Sequence, residues 1–299
     1  MSTLKDLQIA YLGLGIMGSA MAANLSAAGA KLIGWNRTPG RSSAQTAENA
    51  GATIVTSLQE AVRSADIIFT CLSDVGDVES VILGKGGVAE CVRKGAVVID
   101  MTTIGPQAAK NLKAGLKKHG VRFLDAPVTG GDVGARMGTL TIMVGGDKAD
   151  LEECRPYLEV IGTNIIHCGP VGSGQSVKLC NQVLCAINMV SLCESLLLAQ
   201  ELGIDPRLVV DVCSKGAGGS WALTNLGPRA IEADFQPGFM IKHIIKDLRL
   251  VAESLKSDRD LLPGVELADR RFKLAATTDD GKGEEQGTQA MMRAYLKHL

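Results

Sequence analysis

The stretch Leu7-Gln8-Ile9-Ala10-Tyr11-Leu12-Gly13-Leu14-Gly15-Ile16-Met17-Gly18 decides the fold of this chain. It predicts a short apolar strand ending in a G-x-G-x-x-G turn, and the small residues of 19–28 predict a helix directly after it. The apolar run 31–35 predicts a second strand. In this order the glycines allow a tight turn, close approach of a pyrophosphate to the backbone, and packing of helix on strand. We therefore predict a dinucleotide site at Gly13, Leu14, Gly15, Ile16, Met17 and Gly18, with the pyrophosphate at the helix N-terminus.

The end of the second predicted strand indicates which dinucleotide binds. An NAD site places Asp or Glu there to hydrogen-bond the ribose 2′-hydroxyl. This chain has Asn36, Arg37 and Thr38 instead. An amide, a guanidinium and a hydroxyl suit a 2′-phosphate, which a carboxylate would repel. An ordinary surface turn is the alternative, but the segment follows the strand that leads to the ribose, so we predict NADP(H).

The rest of the first half alternates between strands and helices. Strands are predicted at 66–72, 97–100, 121–124, 139–144 and 165–166, and helices at 57–64, 106–119 and 148–160. This alternation predicts a mostly parallel, doubly wound sheet of the Rossmann type. Ligands of such sheets bind at the carboxyl ends of the strands. The residues at these ends include Leu72 and Ser73, which we expect at the cofactor, Thr103, and Thr129-Gly130-Gly131.

Strand signals stop after residue 168. The segment Gly169-Pro170-Val171-Gly172-Ser173-Gly174 predicts a turn, and the following run to Gly203, without Gly or Pro, predicts a helix about 39 Å long. Because this helix is apolar nearly all round, we expect it to be buried. Further helices are predicted at 206–214, 223–233, 240–257, 265–277 and 288–297. We therefore predict a Rossmann domain over 1–168 and an all-α domain over 169–299, joined by the long helix.

Composition and charge argue against several classes of protein. Of 299 residues, 46% are apolar, and the formal net charge is -1 without basic or acidic blocks. This balance argues against nucleic acid or an anionic membrane as partner. Residues 1–6 lack a signal-peptide layout and polar residues interrupt the long helix, so we expect a soluble, cytoplasmic protein. The 8 Cys occur singly and His is not clustered, so we expect neither disulfides nor a metal site.

Lys178 stands out in the first turn of the long helix, where the helix dipole disfavours a cation. Asn181 and Gln182 follow at spacings that place all three polar side chains on one face. One interpretation is a lysine whose amine reaches solvent from the helix end. The other is a catalytic amine, which the surrounding motifs favour.

Four motifs occur together along the chain. They are the glycine turn, Asp125-Ala126-Pro127-Val128-Thr129-Gly130-Gly131, Gly172-x-Gly174-x-x-x-Lys178-x-x-Asn181, and Phe239 through Lys246-Asp247-Leu248. In this order they resemble the β-hydroxyacid dehydrogenase family, which includes 3-hydroxyisobutyrate dehydrogenase, tartronate semialdehyde reductase and glyoxylate/succinic semialdehyde reductase. The resemblance covers nearly the whole chain.

The resemblance implies a role for each matching position. Lys178 would be the catalytic residue, a general acid in carbonyl reduction and a base in the reverse oxidation. Thr129, Gly130 and Gly131 match the loop that binds the substrate carboxylate, with Thr in place of the usual Ser. Asn181 matches an Asn that holds the substrate hydroxyl, although some members carry it one position later, at Gln182 here. The other matches are Thr103 between nicotinamide and substrate, Lys246 at the cofactor, and Phe239 and Asp247 beside the substrate, with a surface or capping carboxylate as the alternative for Asp247.

The chemistry of these residues supports the same reaction. Hydride addition to a carbonyl builds negative charge on oxygen, which a nearby ammonium stabilises and protonates. A free lysine has a pKa of about 10.4, and we expect burial at a helix N-terminus to lower the pKa of Lys178. Backbone N–H groups of Thr129, Gly130 and Gly131 would hold the substrate carboxylate, because glycine permits close approach. An ordinary loop is the alternative there.

We therefore expect an NADPH-dependent, reversible reductase of small carboxylate-bearing aldehydes such as glyoxylate, succinic semialdehyde or related semialdehydes. Trp35-Asn36-Arg37-Thr38 is more similar to the glyoxylate/succinic semialdehyde branch, and Lys178-Leu179-Cys180-Asn181-Gln182 to the tartronate semialdehyde branch. The alternatives are activity on 3-hydroxyisobutyrate or tartronate semialdehyde, imine reduction, and a cofactor-sensing module without turnover. Lys178 argues against imine reduction, and Lys178, the Gly130-Gly131 loop and Asn181 together argue against the cofactor-sensing module. The apolar helical half predicts a homodimer or homotetramer.

Overall fold

The computed structural model describes residue 4, residues 7–255 and residues 261–296. The chain divides into two compact units, Met1–Lys178 and Leu179–Leu299. The predicted domain boundary at 168/169 stays a prediction.

The first unit is built around a nine-stranded sheet. Its strands are β1 Gln8–Leu12, β2 Lys31–Trp35, β3 Thr53–Val55, β4 Ile67–Thr70, β5 Val97–Asp100, β6 Arg122–Asp125, β7 Val128–Thr129, β8 Leu140–Gly145 and β9 Gly162–Gly169. Their order is β3-β2-β1-β4-β5-β6-β8-β7, with β9 paired to β8. All pairs are parallel except those of β8 with β6 and β7. The mostly parallel sheet is therefore confirmed, and the carboxyl ends of β1 to β6 lie along one edge.

Helices cover both faces of this sheet. They are α1 Ile16–Ala27, α2 Ala44–Asn49, α3 Leu58–Val62, α4 Val75–Leu83, α5 Val88–Cys91, α6 Pro106–Lys117, α7 Gly131–Met137 and α8 Lys148–Ile161. Along β1, Ile9 and Tyr11 belong to one buried cluster, which includes residues of α1 and α8. Ala10 and Leu12 belong to the other, which includes residues of α4 and α6. Because successive strand residues point to opposite faces, these clusters are the two layers of a doubly wound fold.

Several short elements escaped the sequence prediction. The elements α2, β3, α4, α5, β7 and α7 were not expected. All of these except α4 contain seven residues or fewer, which is too few turns or alternations for a clear period. The last strand, predicted at 165–166, extends over Gly162–Gly169. Polar residues such as Asn164 and His167 hide its length in the sequence.

The long helix α9, Ser173–Glu201, begins in the first unit and continues into the second. The second unit then contains α10 Pro206–Cys213, α11 Trp221–Ile231, α12 Ile241–Ser254, α13 Pro263–Ala276 and α14 Arg293–Leu296. Two 3₁₀ turns, Gly283–Glu285 and Thr288–Met292, precede α14. The helix predicted at 288–297 is thus a 3₁₀ turn followed by one short α-helical turn. Residue 297, and residues 256–257 of the helix predicted at 240–257, lie outside the described residues.

The expectation that α9 is buried all round is wrong. Ala186, Met189 and Leu196 are buried, whereas Leu184 is 64% exposed and Leu198 58% exposed. The described residues supply neighbours to only part of the helix circumference. By length and composition α9 is also able to cross a membrane, and 44% of its most apolar window is buried. A helix that packs inside a soluble protein meets the same criterion.

Candidate active site

The three glycines of the G-x-G-x-x-G fingerprint, which are Gly13, Gly15 and Gly18, have three different surroundings. Gly13 has φ +99°, and a Cβ placed there would lie 2.2 Å from the carbonyl oxygen of Cys71. A Cβ on Gly18 would lie 2.0 Å from the carbonyl oxygen of Gly13, so this glycine lets α1 pack on the turn. A Cβ on Gly15 would meet no atom within 4 Å. The middle glycine therefore faces open space, where a pyrophosphate would approach the backbone.

The N-terminus of α1 is available to an anion. Its N-cap residue is Gly15, which offers no side-chain hydrogen bond, and the first turn contains no acidic residue. The initial N–H groups of a helix without such a cap are natural ligands of phosphate. The fingerprint residues thus fit the pyrophosphate of a dinucleotide.

The segment after β2 is held by its own amide. Asn36 Oδ1 accepts a hydrogen bond from the backbone N–H of Leu14 at 3.1 Å, and Asn36 Nδ2 donates to the carbonyl oxygen of Thr38 at 2.9 Å. The side chain of Arg37 is 71% exposed and forms an ion pair with Asp77 of α4. Asn36 shapes the turn, whereas the guanidinium of Arg37 lies at the surface beside a carboxylate that sequence reasoning missed.

The loop after β5, which carries Thr103, is held at several points. Thr102 Oγ1 accepts a hydrogen bond from the backbone N–H of Leu72 at 2.9 Å, which joins the ends of β4 and β5. The buried side chain of Gln175, in the first turn of α9, accepts from the N–H groups of Ile104 and Gly105, both at 3.0 Å. Its Nε2 donates to the carbonyl oxygen of Thr102 at 2.8 Å. Gln175 therefore fixes the backbone on both sides of Thr103.

A second buried side chain fixes α9 to the sheet. The carboxylate of Asp125, at the end of β6, accepts from the backbone N–H groups of Gly172 at 2.7 Å and Gln175 at 2.9 Å. Burial raises the pKa of Asp125 to about 6, although these backbone hydrogen bonds act to lower the pKa. The carboxylate satisfies N–H groups that the start of a helix leaves without intrahelical partners.

The glycines before Lys178 are explained by this packing. Gly172 has φ +94°, and a Cβ on Gly174 would lie 2.2 Å from the carbonyl oxygen of Met143 in β8. Only glycine permits this approach of α9 to the sheet. Lys178 itself is only 8% exposed, so most of its side chain is buried, which argues against the interpretation as an ordinary surface lysine.

Asp100, the last residue of β5, is a second buried carboxylate at the edge of the sheet where the parallel strands end. Its Oδ1 accepts from Thr70 Oγ1 at 2.6 Å and from the N–H of Thr102 at 3.2 Å. Its Oδ2 has no hydrogen-bond partner within the described part of the chain. Burial raises the pKa of Asp100 to about 6, and the nearby charge of Asp125 acts in the same direction.

The predicted carboxylate loop contains two glycines in conformations that other residues rarely adopt. Gly130 has φ +128° and Gly131 has φ +65°. A Cβ on Gly131 would meet no atom within 4 Å, so the backbone there is open to a ligand. Thr129 ends β7 directly before them.

The remaining predicted residues lie in the second unit, where four side chains form a chain of contacts. Asn181 Nδ2 donates to Gln182 Oε1 at 2.8 Å, and Gln182 Nε2 donates to Asp247 Oδ2 at 2.6 Å. Lys246 Nζ lies 2.8 Å from Asp247 Oδ1. Asp247 is 1% exposed, which excludes a surface carboxylate. Phe239 stacks on His243, with ring centroids 6.0 Å apart.

Comparison with known proteins identifies the family. A protein-family model described as the NAD binding domain of 6-phosphogluconate dehydrogenase matches residues 8–169. A model described as the NAD-binding of NADP-dependent 3-hydroxyisobutyrate dehydrogenase matches residues 172–295. The chain belongs to the β-hydroxyacid dehydrogenase family.

Members of this family resemble the chain over almost its full length. An uncharacterized oxidoreductase of Synechocystis is 55% identical, covering 96% of this chain and 98% of the relative. The 2-hydroxy-3-oxopropionate reductase of Escherichia coli is 37% identical, covering 98% and 99%. Among solved structures, 3-hydroxyisobutyrate dehydrogenase of Mycobacterium tuberculosis with L-serine superposes with a TM-score of 0.84 at 32% identity, covering 97% and 99%.

As a β-hydroxyacid dehydrogenase, the protein is an oxidoreductase that uses a nicotinamide dinucleotide. Within the described residues, no group of His, Cys, Asp and Glu is arranged to hold a metal ion. Sequence reasoning missed Asp100 and Gln175, and it treated Asp125 only as part of a motif. An Asp that ends an apolar strand, as Asp100 and Asp125 both do, was the available signal.

Proposed function

We propose that this protein catalyses the NADPH-dependent, reversible reduction of small carboxylate-bearing aldehydes to hydroxyacids, with Lys178 as general acid and base. The observation that carries the proposal is the buried lysine on a helix whose first turn is tied to two strand ends. Asp125 holds the backbone of that turn, and the side chain of Gln175 holds the loop of Thr103. Such ties position a catalytic group before substrate arrives.

For the cofactor, we assign the pyrophosphate to the turn of 13–18 and the 2′-phosphate to Arg37 and Thr38. The segment after β2 contains no carboxylate, which supports NADPH over NADH. Leu72, Ser73 and Lys246 are assigned to the cofactor, and Thr103 to a position between nicotinamide and substrate. When bound, the cofactor supplies the hydride.

For the substrate, we assign the carboxylate to Thr129, Gly130 and Gly131. Lys178 gives a proton to the carbonyl oxygen during reduction and removes it from the hydroxyl during oxidation. Asn181 is assigned to the substrate hydroxyl, with Gln182 as the alternative contact, and Phe239 and Asp247 are assigned to the border of the substrate site.

Glyoxylate and succinic semialdehyde are the proposed substrate class. The second candidate is tartronate semialdehyde or 3-hydroxyisobutyrate, favoured by the segment Lys178–Gln182 and by the 37% identical 2-hydroxy-3-oxopropionate reductase. We also propose a homodimer or homotetramer, because Leu184, Ile187 and Leu198 expose apolar surface along α9.

A panel of aldehydes tests the proposal. Glyoxylate, succinic semialdehyde, tartronate semialdehyde and an aldehyde lacking a carboxylate are each assayed with NADPH and with NADH. We expect turnover of the carboxylate-bearing aldehydes, a preference for NADPH, and little turnover of the control aldehyde. Absence of turnover with every carboxylate-bearing aldehyde would overturn it.

A further inference from the structure

The four linked side chains of the second unit have a fixed hydrogen-bond direction. Asp247 is nearly inaccessible, with Lys246 Nζ 2.8 Å from one carboxylate oxygen and Gln182 Nε2 2.6 Å from the other. A carboxylate beside an ammonium is a hydrogen-bond acceptor only. Gln182 must therefore turn its NH₂ group towards Asp247, which leaves its carbonyl oxygen for the next residue.

The orientation of the Gln182 amide also fixes the orientation of the Asn181 amide. Because Gln182 Oε1 accepts, Asn181 must donate to it, and Asn181 Nδ2 lies 2.8 Å away. The same nitrogen lies 3.4 Å from Cys185 Sγ, a second weak acceptor. Both N–H groups of the Asn181 amide are thus directed at acceptors within the protein. Among the described residues its carbonyl oxygen has no such partner, so this oxygen is the group left for a ligand.

The side chains of Asn181 and Gln182 differ in their exposure to solvent. Gln182 is 2% exposed, whereas Asn181 is only half-buried. Gln182 uses its oxygen on Asn181 and an N–H on Asp247, so its contacts lie within the protein.

We propose that Gln182 and Asp247 are positioning residues that make Asn181 a dedicated hydrogen-bond acceptor, which selects ligands carrying a hydroxyl group. This inference rests on the proposed function, which places a hydroxyacid at Asn181. An amide oxygen accepts a hydrogen bond from an alcohol and has none to give to a carbonyl oxygen. The site therefore binds the hydroxyacid more tightly than the same acid without its hydroxyl.

The test measures the affinity of the NADPH-bound enzyme for 4-hydroxybutyrate and for butyrate by calorimetry. The reduced cofactor prevents oxidation of the hydroxyacid during the measurement. One neutral hydrogen bond predicts that the wild type binds 4-hydroxybutyrate about tenfold more tightly than butyrate. Asn181→Ala should bring this ratio close to one by weakening 4-hydroxybutyrate alone.

The positioning residues are tested by variants that keep their size. Asp247→Asn lets Gln182 adopt either orientation, and Gln182→Met removes both of its hydrogen bonds, so in each the ratio should fall to within about twofold of one. Gln182→Glu keeps an oxygen towards Asn181 and shares a proton with Asp247, so it should retain most of the preference. The control is Glu253→Gln, which removes an exposed carboxylate of α12 paired with Arg249, and it should leave the ratio unchanged.

Two results would overturn the inference. In the first, Asn181→Ala abolishes the preference for 4-hydroxybutyrate over butyrate, but Asp247→Asn and Gln182→Met both keep it. In the second, Asn181→Ala keeps this preference and Gln182→Met abolishes it, which would mean that Gln182 contacts the ligand hydroxyl. Failure of the proposed function looks different, because wild-type enzyme would then bind neither acid and reduce no aldehyde of the panel.

Discussion

The carboxylate of Asp125 accepts hydrogen bonds from the backbone N–H groups of Gly172 and Gln175, which follow it by 47 and 50 positions in the sequence. A strand end thereby caps the helix that carries Lys178. The stability of Asp125 variants tests this helix cap, and the reaction rate of Lys178 variants tests the catalytic role, so the two are measured separately.

Removing the Asp125 carboxylate should destabilise the protein. Asp125→Ala leaves buried N–H groups without acceptors, so we expect the free energy of unfolding to fall by about 3 kcal/mol or more. Asp125→Asn keeps one acceptor oxygen and should lose less. Urea unfolding checks both values, and a loss below about 1 kcal/mol in Asp125→Ala would contradict the capping role.

Substitutions of two fingerprint glycines should affect different properties, the stability in one case and the affinity for NADPH in the other. Gly18→Ala places a Cβ 2.0 Å from the Gly13 carbonyl oxygen and should cost about 2 kcal/mol of stability. Gly15→Ala adds a methyl group in open space, at φ -76°, so stability should change by less than about 0.5 kcal/mol. Its affinity for NADPH should nevertheless fall more than about tenfold, because the methyl group occupies the approach of the pyrophosphate. Unchanged affinity in Gly15→Ala, measured by fluorescence titration, would refute this position for the phosphates.

Arg37 should distinguish the two cofactors. Arg37→Ala removes a charge-assisted contact, so we expect NADPH to bind about tenfold or more weakly and NADH to change little. Asp77→Asn removes the carboxylate that pairs with Arg37 and should strengthen NADPH binding. Glu79→Gln, on the same helix, serves as the charge-matched control. Equal weakening of both cofactors in Arg37→Ala is the result that the 2′-phosphate assignment does not allow.

Asp100 should give the stability a pH dependence. Its pKa is about 6 in the folded protein, above about 3.9 in an unfolded chain, so the folded state binds this proton more readily. The contribution of Asp100 to the free energy of unfolding therefore decreases as the pH rises from about 4 to 6. Asp100→Asn keeps an oxygen for Thr70 and Thr102 without the buried charge. It should be more stable than wild type at pH 7, by up to roughly 3 kcal/mol, and similar at pH 4. Urea titrations at both values check this, and a less stable variant at pH 7 would reverse the sign.

The sequence predicted elements whose pattern is local. The strand bounds 31–35 and 97–100 were confirmed because continuous apolar runs end at clear turn signals. The fingerprint predicted its own strand, turn and helix for the same reason. Short elements such as α2 and α7 contain too few residues to show a period.

The contacts that define the candidate site are not local. Asp125 with Gly172, Gln175 with Thr102, and Gln182 with Asp247 join residues 47, 73 and 65 positions apart. No spacing rule reveals such pairs, and the motif containing Asp125 indicated a loop rather than a helix cap. The exposure of Leu184 was missed because apolar composition cannot tell an intramolecular contact from a surface left for another chain.

The central claim is that Lys178 moves the proton in the reaction. The most direct measurement is single-turnover reduction of the best aldehyde by Lys178→Ala with saturating NADPH, alongside NADPH affinity. We expect the rate to fall by about 10²- to 10⁴-fold, while NADPH affinity changes less than about threefold. Lys178→Arg, which keeps the charge but holds its proton, should also be slow. A near-normal rate in Lys178→Ala would contradict the account.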